Sequence, residues 1–129
     1  GLLCTPEMGP YNVTKAGVVA LSETLCSELK GDRIGVTVLC PTFFQTNIMQ
    51  ATRSKNSNHQ HVAEKLMARA KIQAPDVARH ALASVDAGEL YSLPHADGAW
   101  SWRIKRMSPE RFYQTLVPRY FKKTMGRGR

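Results

Sequence analysis

Tyr11 and Lys15 are the two residues whose types and spacing could do acid/base chemistry. They stand four positions apart in a stretch that opens with Pro10, a residue suited to the first turn of a helix. Helical residues four apart lie on one face, so the phenol and the ammonium would lie close together. An ammonium near a phenol favours the phenolate, and a phenol tuned in this way can accept or donate a proton near neutral pH. An ordinary helix face with one aromatic residue and one solvated lysine would show the same spacing.

A strand and a loop that could bind a ligand follow this helix. Residues 34–40 form a short apolar run rich in β-branched side chains, which is typical of a buried parallel strand. Pro41 then begins a loop that runs to Thr46. Because ligands bind beyond the carboxyl ends of the strands in open α/β sheets, this loop is the second candidate site.

The helix and the loop together resemble the short-chain dehydrogenase/reductase family. Residues 11–25 are similar to its active-site helix, and residues 34–46 are similar to the next strand and to its Pro-Gly-x-x-x-Thr cofactor loop. The resemblance implies an α/β fold, the C-terminal half of a Rossmann-like doubly wound parallel sheet. It also implies an NAD(P)-dependent oxidoreductase that acts on a carbonyl or secondary alcohol substrate.

The resemblance assigns roles to single residues as well. Tyr11 would be the general acid/base at the substrate oxygen, and Lys15 would tune it and bind the nicotinamide ribose hydroxyls. Thr46 would hydrogen-bond the amide or a phosphate of the cofactor, which would be NAD or NADP. The implied cofactor-binding set is Tyr11, Lys15, Pro41, Thr42, Phe44 and Thr46.

Two positions of the loop leave alternatives open. Thr42 stands where the family normally has glycine after the proline, so its side chain would narrow the pocket or alter the loop. The backbone of Phe44 would face the nicotinamide carboxamide, but plain core packing explains Phe43 and Phe44 equally well.

The part of the resembled enzyme that cradles the dinucleotide phosphates has no counterpart in these 129 residues. None of the nine glycines forms a G-x-G-x-x-G motif between a strand and a helix, and the family's catalytic serine would precede Gly1. We therefore expect a fragment that lacks the N-terminal cofactor-binding half and is inactive on its own.

Local signals place the other elements. The first helix should run from about Pro10 to Leu29, with Gly31 as its cap. A second helix should begin near Pro75 and end at Gly88, and residues 89–94 should form the last strand. The predicted buried stripe of the second helix is Val77, Ala78, Ala81, Leu82 and Val85.

The net charge of +8 arises wholly after residue 100. Residues 1–100 hold nine basic and nine acidic residues, whereas residues 101–129 hold nine basic residues and one acidic residue. We predict an oxidoreductase domain over residues 1–94 and a basic aromatic helical extension over residues 95–129. The extension would bind an anionic membrane surface, or acyl-phosphate or coenzyme A groups, or it would pack on its own domain, and we expect packing. Charge alone points to nucleic acid, which we do not expect as a partner.

Other classes of function fit parts of the pattern. An epimerase or dehydratase of the extended branch would use the same Tyr/Lys pair, but it usually carries a larger C-terminal domain. A non-catalytic dimerisation or scaffold module with a basic surface-binding tail is the alternative from another class. The small residues of the first helix favour a homo-oligomer or packing within one chain.

Cysteine and histidine usage bears on location and metal binding. The three cysteines have no metal-ligand spacing, so we expect reduced thiols and a cytoplasmic protein, peripheral to a membrane only if the extension binds one. His59 and His61 stand two apart with no third ligand nearby, so we expect no metal.

Overall fold

The computed structural model describes residues 1–45, 67–68 and 70–125 of the chain. The helices are α1 Gly9–Glu28, α2 Ala74–Asp86, α3 Ala96–Met107, α4 Pro109–Arg111 and α5 Val117–Met125. A 3₁₀ turn, Leu29–Asp32, follows α1, and a π-helical segment, Phe112–Leu116, joins α4 to α5. The strands are β1 Val38–Leu39 and β2 Tyr91–Ser92.

Helix α1 confirms the first predicted helix to within one residue at each end. Pro10 lies in its first turn, where the missing N–H has no carbonyl partner to lose. Met8, the residue before the helix, makes no side-chain cap. Instead the Asn12 side chain donates to the Thr5 carbonyl at 2.7 Å and accepts from the Thr5 N–H at 3.4 Å. This pair of bonds fixes the angle at which the chain enters α1.

Helix α2 begins with a reciprocal cap. The Gln73 side chain accepts a backbone N–H of the first turn, and Asp76 accepts the Gln73 N–H at 3.1 Å. That backbone bond, together with the Arg79 guanidinium, holds the pKa of Asp76 below its ordinary value. At the other end Gly88 has φ of +68°, a left-handed conformation that favours glycine, so it terminates the helix as predicted.

The two strands run parallel, with Val38 opposite Tyr91 and Leu39 opposite Ser92. They are much shorter than the predicted runs 34–40 and 89–94, because only these residues face a partner in the part of the sheet that the structure describes. A mostly helical chain with one parallel strand pair is compatible with part of the predicted doubly wound fold. Since the strands are parallel, the segments after both of them meet at one edge of the sheet.

The buried core is small. Its apolar members within the described ranges are Val19, Val38, Val77 and Phe112. Several large apolar side chains of α1 and α2 are exposed, among them Val13 at 73% and Leu82 at 67%. The predicted stripe of α2 is therefore confirmed at Val77 and wrong at Ala78, Leu82 and Val85, which are exposed in this chain. Within the described residues, no helix is long and apolar enough to cross a membrane.

The C-terminal helices touch the body of the chain at a few points. Phe112 is buried, and the ring of Trp102 lies 4.8 Å from that of Tyr91. By contrast, Trp100 and Tyr120 are about two-thirds and three-fifths exposed. The extension therefore combines packed and exposed aromatic residues, and its treatment as a separate domain stays a prediction.

Candidate functional site

Tyr11 and Lys15 lie on one exposed face of α1. The Lys15 Nζ atom stands 5.7 Å from the centre of the Tyr11 ring, within the range of a cation–π attraction. Tyr11 is 49% exposed. The predicted neighbourhood of phenol and ammonium is thus present in the structure, while the catalytic roles of the two residues stay predictions.

The start of the chain lies against α1 beside Lys15. A Cβ atom added to Gly1 would stand 2.3 Å from the Lys15 carbonyl oxygen, so a larger residue cannot take this place without a shift. Residue 1 therefore packs against the turn of α1 that carries Lys15.

The loop after β1, residues 41–45, is held by segments distant in sequence. The Thr42 N–H donates to Nδ1 of His95 at 3.3 Å, and the Gln45 N–H donates to Oε1 of Gln73 at 3.2 Å. The Phe44 ring stacks on His95 with the ring centres 6.2 Å apart. These contacts join the loop to the cap of α2 and to the segment after β2.

The Thr42 side chain is engaged by the start of α3. Its hydroxyl lies 3.5 Å from Oδ1 of Asp97, which is longer than an ordinary O–H···O hydrogen bond. A Cβ atom added to Gly98 would stand 2.5 Å from the Thr42 Cγ2 methyl, so the two residues are packed with no space between them. The threonine that replaces the family's glycine therefore packs on α3.

Four residues that contact this loop were not predicted as site residues from the sequence. They are His95, Asp97, Gln73 and Gly98. One signal could have found His95, since it follows β2 at the edge where parallel strands place their ligand-binding segments. Gln73 carried a weaker signal, because it stands three residues before the acidic Asp76. Nothing local indicates that Gly98 touches Thr42, a contact across 56 positions of sequence.

Within the described residues, no polar or ring contact joins the two halves of the predicted site. Among the described residues, no hydrogen bond, ion pair or ring contact joins Tyr11 or Lys15 to residues 41–45. Pro41 is half-buried next to Thr42, whereas Thr46 lies outside the described residues.

A groove of about 370 Å³ lies between α1, β2 and α3, away from Tyr11 and the loop. In it the Tyr91 hydroxyl donates to the Glu23 carboxylate, which together with partial burial raises the pKa of Tyr91. Lys105 closes one side by donating to the Leu2 carbonyl at 2.7 Å. At the end of β1, burial raises the pKa of the Cys40 thiol, so less of it is thiolate at a given pH.

Comparison with known proteins agrees with the resemblance. A sequence model of the family described as Enoyl-(Acyl carrier protein) reductase matches residues 1–87. Two proteins named Dehydrogenase/reductase SDR family member 4 are similar to the chain. The one from Sus scrofa is 33% identical over 64 residues, which are 50% of this chain and 23% of that protein. The one from Oryctolagus cuniculus is 32% identical over 62 residues, 48% of this chain and 24% of that protein.

The match therefore spans about a quarter of the length of these relatives. The family match includes α1 with Tyr11 and Lys15, the loop after β1 and all of α2. Since it extends over residues 1–87 of the 129, the chain belongs to the short-chain dehydrogenase/reductase family.

Proposed function

We propose that this chain supplies the C-terminal part of an NAD(P)-dependent oxidoreductase that acts on a carbonyl or secondary alcohol. The observation that carries the proposal is the exposed pair on α1, with the Lys15 ammonium 5.7 Å from the Tyr11 ring, in a chain of this family. Tyr11 acts as the general acid/base, and it donates its phenol proton to the substrate oxygen during reduction. In the opposite direction its phenolate accepts the proton of the alcohol.

Lys15 has two functions in this proposal. It places a positive charge beside the phenol that exchanges the proton, and its three N–H donors bind hydroxyl groups of the cofactor ribose. No hydrogen bond or ion pair of Lys15 occupies these donors among the described residues.

The residues present fit NAD or NADP at one end of the molecule. Exposed hydroxyl and ammonium donors on α1 suit ribose hydroxyls, and the loop 41–45 lies at the carboxyl edge of the strands, where such ligands bind. When bound, the nicotinamide supplies or takes up the hydride. No glycine-rich phosphate loop occurs among these 129 residues. The residues present therefore fit the nicotinamide end of the cofactor and not its phosphates.

The name of the matching family widens the range of substrates. An enoyl thioester is reduced at a carbon–carbon double bond, and the same phenol could deliver the final proton. The scaffold alternative is not favoured, because it gives no reason for an oxidoreductase family match that carries the Tyr/Lys pair. Partners remain proposals: a small carbonyl or alcohol substrate, and a second copy of the chain.

Lys15→Met in a family-length protein that contains this chain tests the proposal. NADH or NADPH consumption is measured with a panel of ketones, aldehydes and one enoyl thioester. We expect carbonyl turnover in the unchanged protein and a fall in kcat/KM of about 10- to 100-fold in the variant, the range for a lost hydrogen bond to a charged group. Lys30→Met, an exposed lysine of the 3₁₀ turn, is the matched control. Equal activity of the two variants would refute the role of Lys15, and turnover of the enoyl thioester alone would reassign the substrate.

A further inference from the structure

His95 is a buried polar residue at the edge of the sheet where both strands end. Its side chain belongs to a residue only 7% exposed, and Nδ1 accepts the Thr42 N–H at 3.3 Å. Thr42 is partly buried, and a buried backbone N–H without a partner is costly. His95 therefore provides the acceptor that this position of the loop requires.

The bond to Thr42 also decides where the imidazole proton lies. Because Nδ1 accepts, the neutral ring carries its proton on Nε2. In the part of the chain that the structure describes, Nε2 is buried and has no hydrogen-bond partner. An apolar side chain of similar size would avoid this cost, so packing alone does not favour histidine here. The acceptor at Nδ1 is the property that leucine or phenylalanine would lack.

His95 and its neighbours hold the loop at more than one point. The Phe44 ring stacks on the imidazole at 6.2 Å with an angle of 30° between the planes. The Thr42 hydroxyl contacts Asp97, which in turn accepts the Gly98 N–H at 2.8 Å. The backbone and the side chain of Thr42 thus both contact the segment 95–98, which lies entirely beyond the residues that match the family.

We propose that His95 is a positioning residue that holds the loop 41–45 in the conformation that receives the nicotinamide end of the cofactor. The inference rests on the proposed function, which makes this loop part of the cofactor site. His95 acts through the Thr42 backbone and the Phe44 ring and does not itself touch the reacting atoms. Thr42 stands where the family normally has the glycine that follows the proline of the loop. In this protein the hydrogen bond to His95 holds the backbone at that position.

The hydrogen bond is tested on the 129-residue chain without any cofactor. Nitrogen-15 NMR of the imidazole should show a neutral ring protonated at Nε2. His95→Asn keeps an acceptor oxygen near the place of Nδ1, so the Thr42 amide resonance should stay near its original shift and keep its protection from hydrogen exchange. In His95→Leu that amide should shift and exchange faster. A ring protonated at Nδ1, or a Thr42 amide unchanged by His95→Leu, overturns the bond.

The role in cofactor binding is tested by titration of NADH and NADPH into a family-length protein that contains this chain. We expect His95→Leu to raise the Kd of the preferred cofactor about 3- to 10-fold, the range for one neutral hydrogen bond, and His95→Asn to stay within about twofold. His80→Leu is the matched control, because His80 bonds Ser92 at 3.0 Å and not the loop. A positioning role predicts that the His95→Leu variant still binds cofactor and that its kcat falls by a smaller factor than its Kd rises. A catalytic residue would show the opposite.

Four results would contradict the proposal. Equal weakening by Leu and Asn would assign His95 to packing, and no weakening by either would remove it from the site. Equal weakening by His80→Leu would show a general loss of folding. If cofactor binds and responds to these variants but no carbonyl is turned over, the proposed function fails and the positioning role stands. If neither cofactor binds the unchanged protein, both fail.

Discussion

Gly98→Ala tests the contact that fixes Thr42 on α3, and its magnitude follows from two opposing effects. The new Cβ would stand 2.5 Å from the Thr42 Cγ2 methyl, where carbon atoms in contact are normally about 3.5–4.0 Å apart. Relieving the overlap costs about 1–3 kcal/mol, because the branched side chain has few alternative rotamers. Replacing glycine by alanine within a helix stabilises the helix by about 1 kcal/mol. We therefore expect destabilisation of about 0–2 kcal/mol.

Gly17→Ala supplies the matched control for the helical gain. Gly17 lies inside α1, and an added Cβ would meet nothing within 4 Å, so this change should stabilise the chain by about 1 kcal/mol. The two identical substitutions should thus change stability in different directions, separated by the steric cost of about 1–3 kcal/mol.

Thr42→Ser completes the test, because it removes Cγ2 and keeps the hydroxyl. In that background Gly98→Ala should stabilise as Gly17→Ala does, which gives a coupling of about 1–3 kcal/mol in the double-mutant cycle. Urea unfolding of the 129-residue chain, followed by circular dichroism, measures the free energy of unfolding for the unchanged chain, the three single variants and the double variant. If Gly98→Ala stabilises the chain as much as Gly17→Ala while Thr42 is present, the described packing of the loop on α3 is wrong.

Three further results are expected. Because the bond to Glu23 raises the pKa of Tyr91, the stability it contributes is complete below pH of about 10 and is lost as the pH rises further. Tyr91→Phe should remove that part of the pH dependence in denaturation series, and an unchanged slope would contradict the assignment. Val77→Ala should cost about 1–2.5 kcal/mol, whereas Val85→Ala, 58% exposed on the same helix, should stay within about 0.5 kcal/mol; equal losses would refute the described burial. Deleting residues 120–129 should lower Tm, and anionic liposomes should not bind the chain at low salt; salt-sensitive liposome binding would instead favour the membrane contact.

The sequence predicted the features that depend on local chemistry. Proline in the first turn and a regular helical pattern placed α1 to within one residue. Gly88 was identified as a terminator, because a left-handed residue after a helix favours glycine. The cap assigned to Gly31 was wrong: the left-handed residue after the 3₁₀ turn is Arg33, with φ of 57°. A glycine nearby does not decide where the chain turns when a non-glycine residue can adopt the same conformation.

Features that depend on tertiary contacts could not be predicted. Val85 carries the same helical spacing as Val77, yet one is exposed and the other is 4% exposed, because burial depends on which neighbours are present. The matched region spans about a quarter of the relatives, so sequence periodicity alone does not tell what covers the exposed positions. The contacts of Thr42 with His95 and Gly98 join distant segments, and no local pattern encodes them.

The most direct measurement of the central claim is the single-turnover rate of hydride transfer in Tyr11→Phe. In a family-length protein that contains this chain, the variant keeps the aromatic ring beside Lys15 and loses only the hydroxyl that would carry the proton. A stopped-flow experiment with enzyme in excess follows NADH or NADPH oxidation in a single turnover, so product release does not contribute to the measured rate. Tyr120→Phe, which removes an exposed hydroxyl of α5, is the control. We predict a rate about 10²- to 10⁴-fold lower in Tyr11→Phe, with cofactor Kd unchanged within about twofold. A rate equal to that of Tyr120→Phe would show that Tyr11 is not the general acid/base.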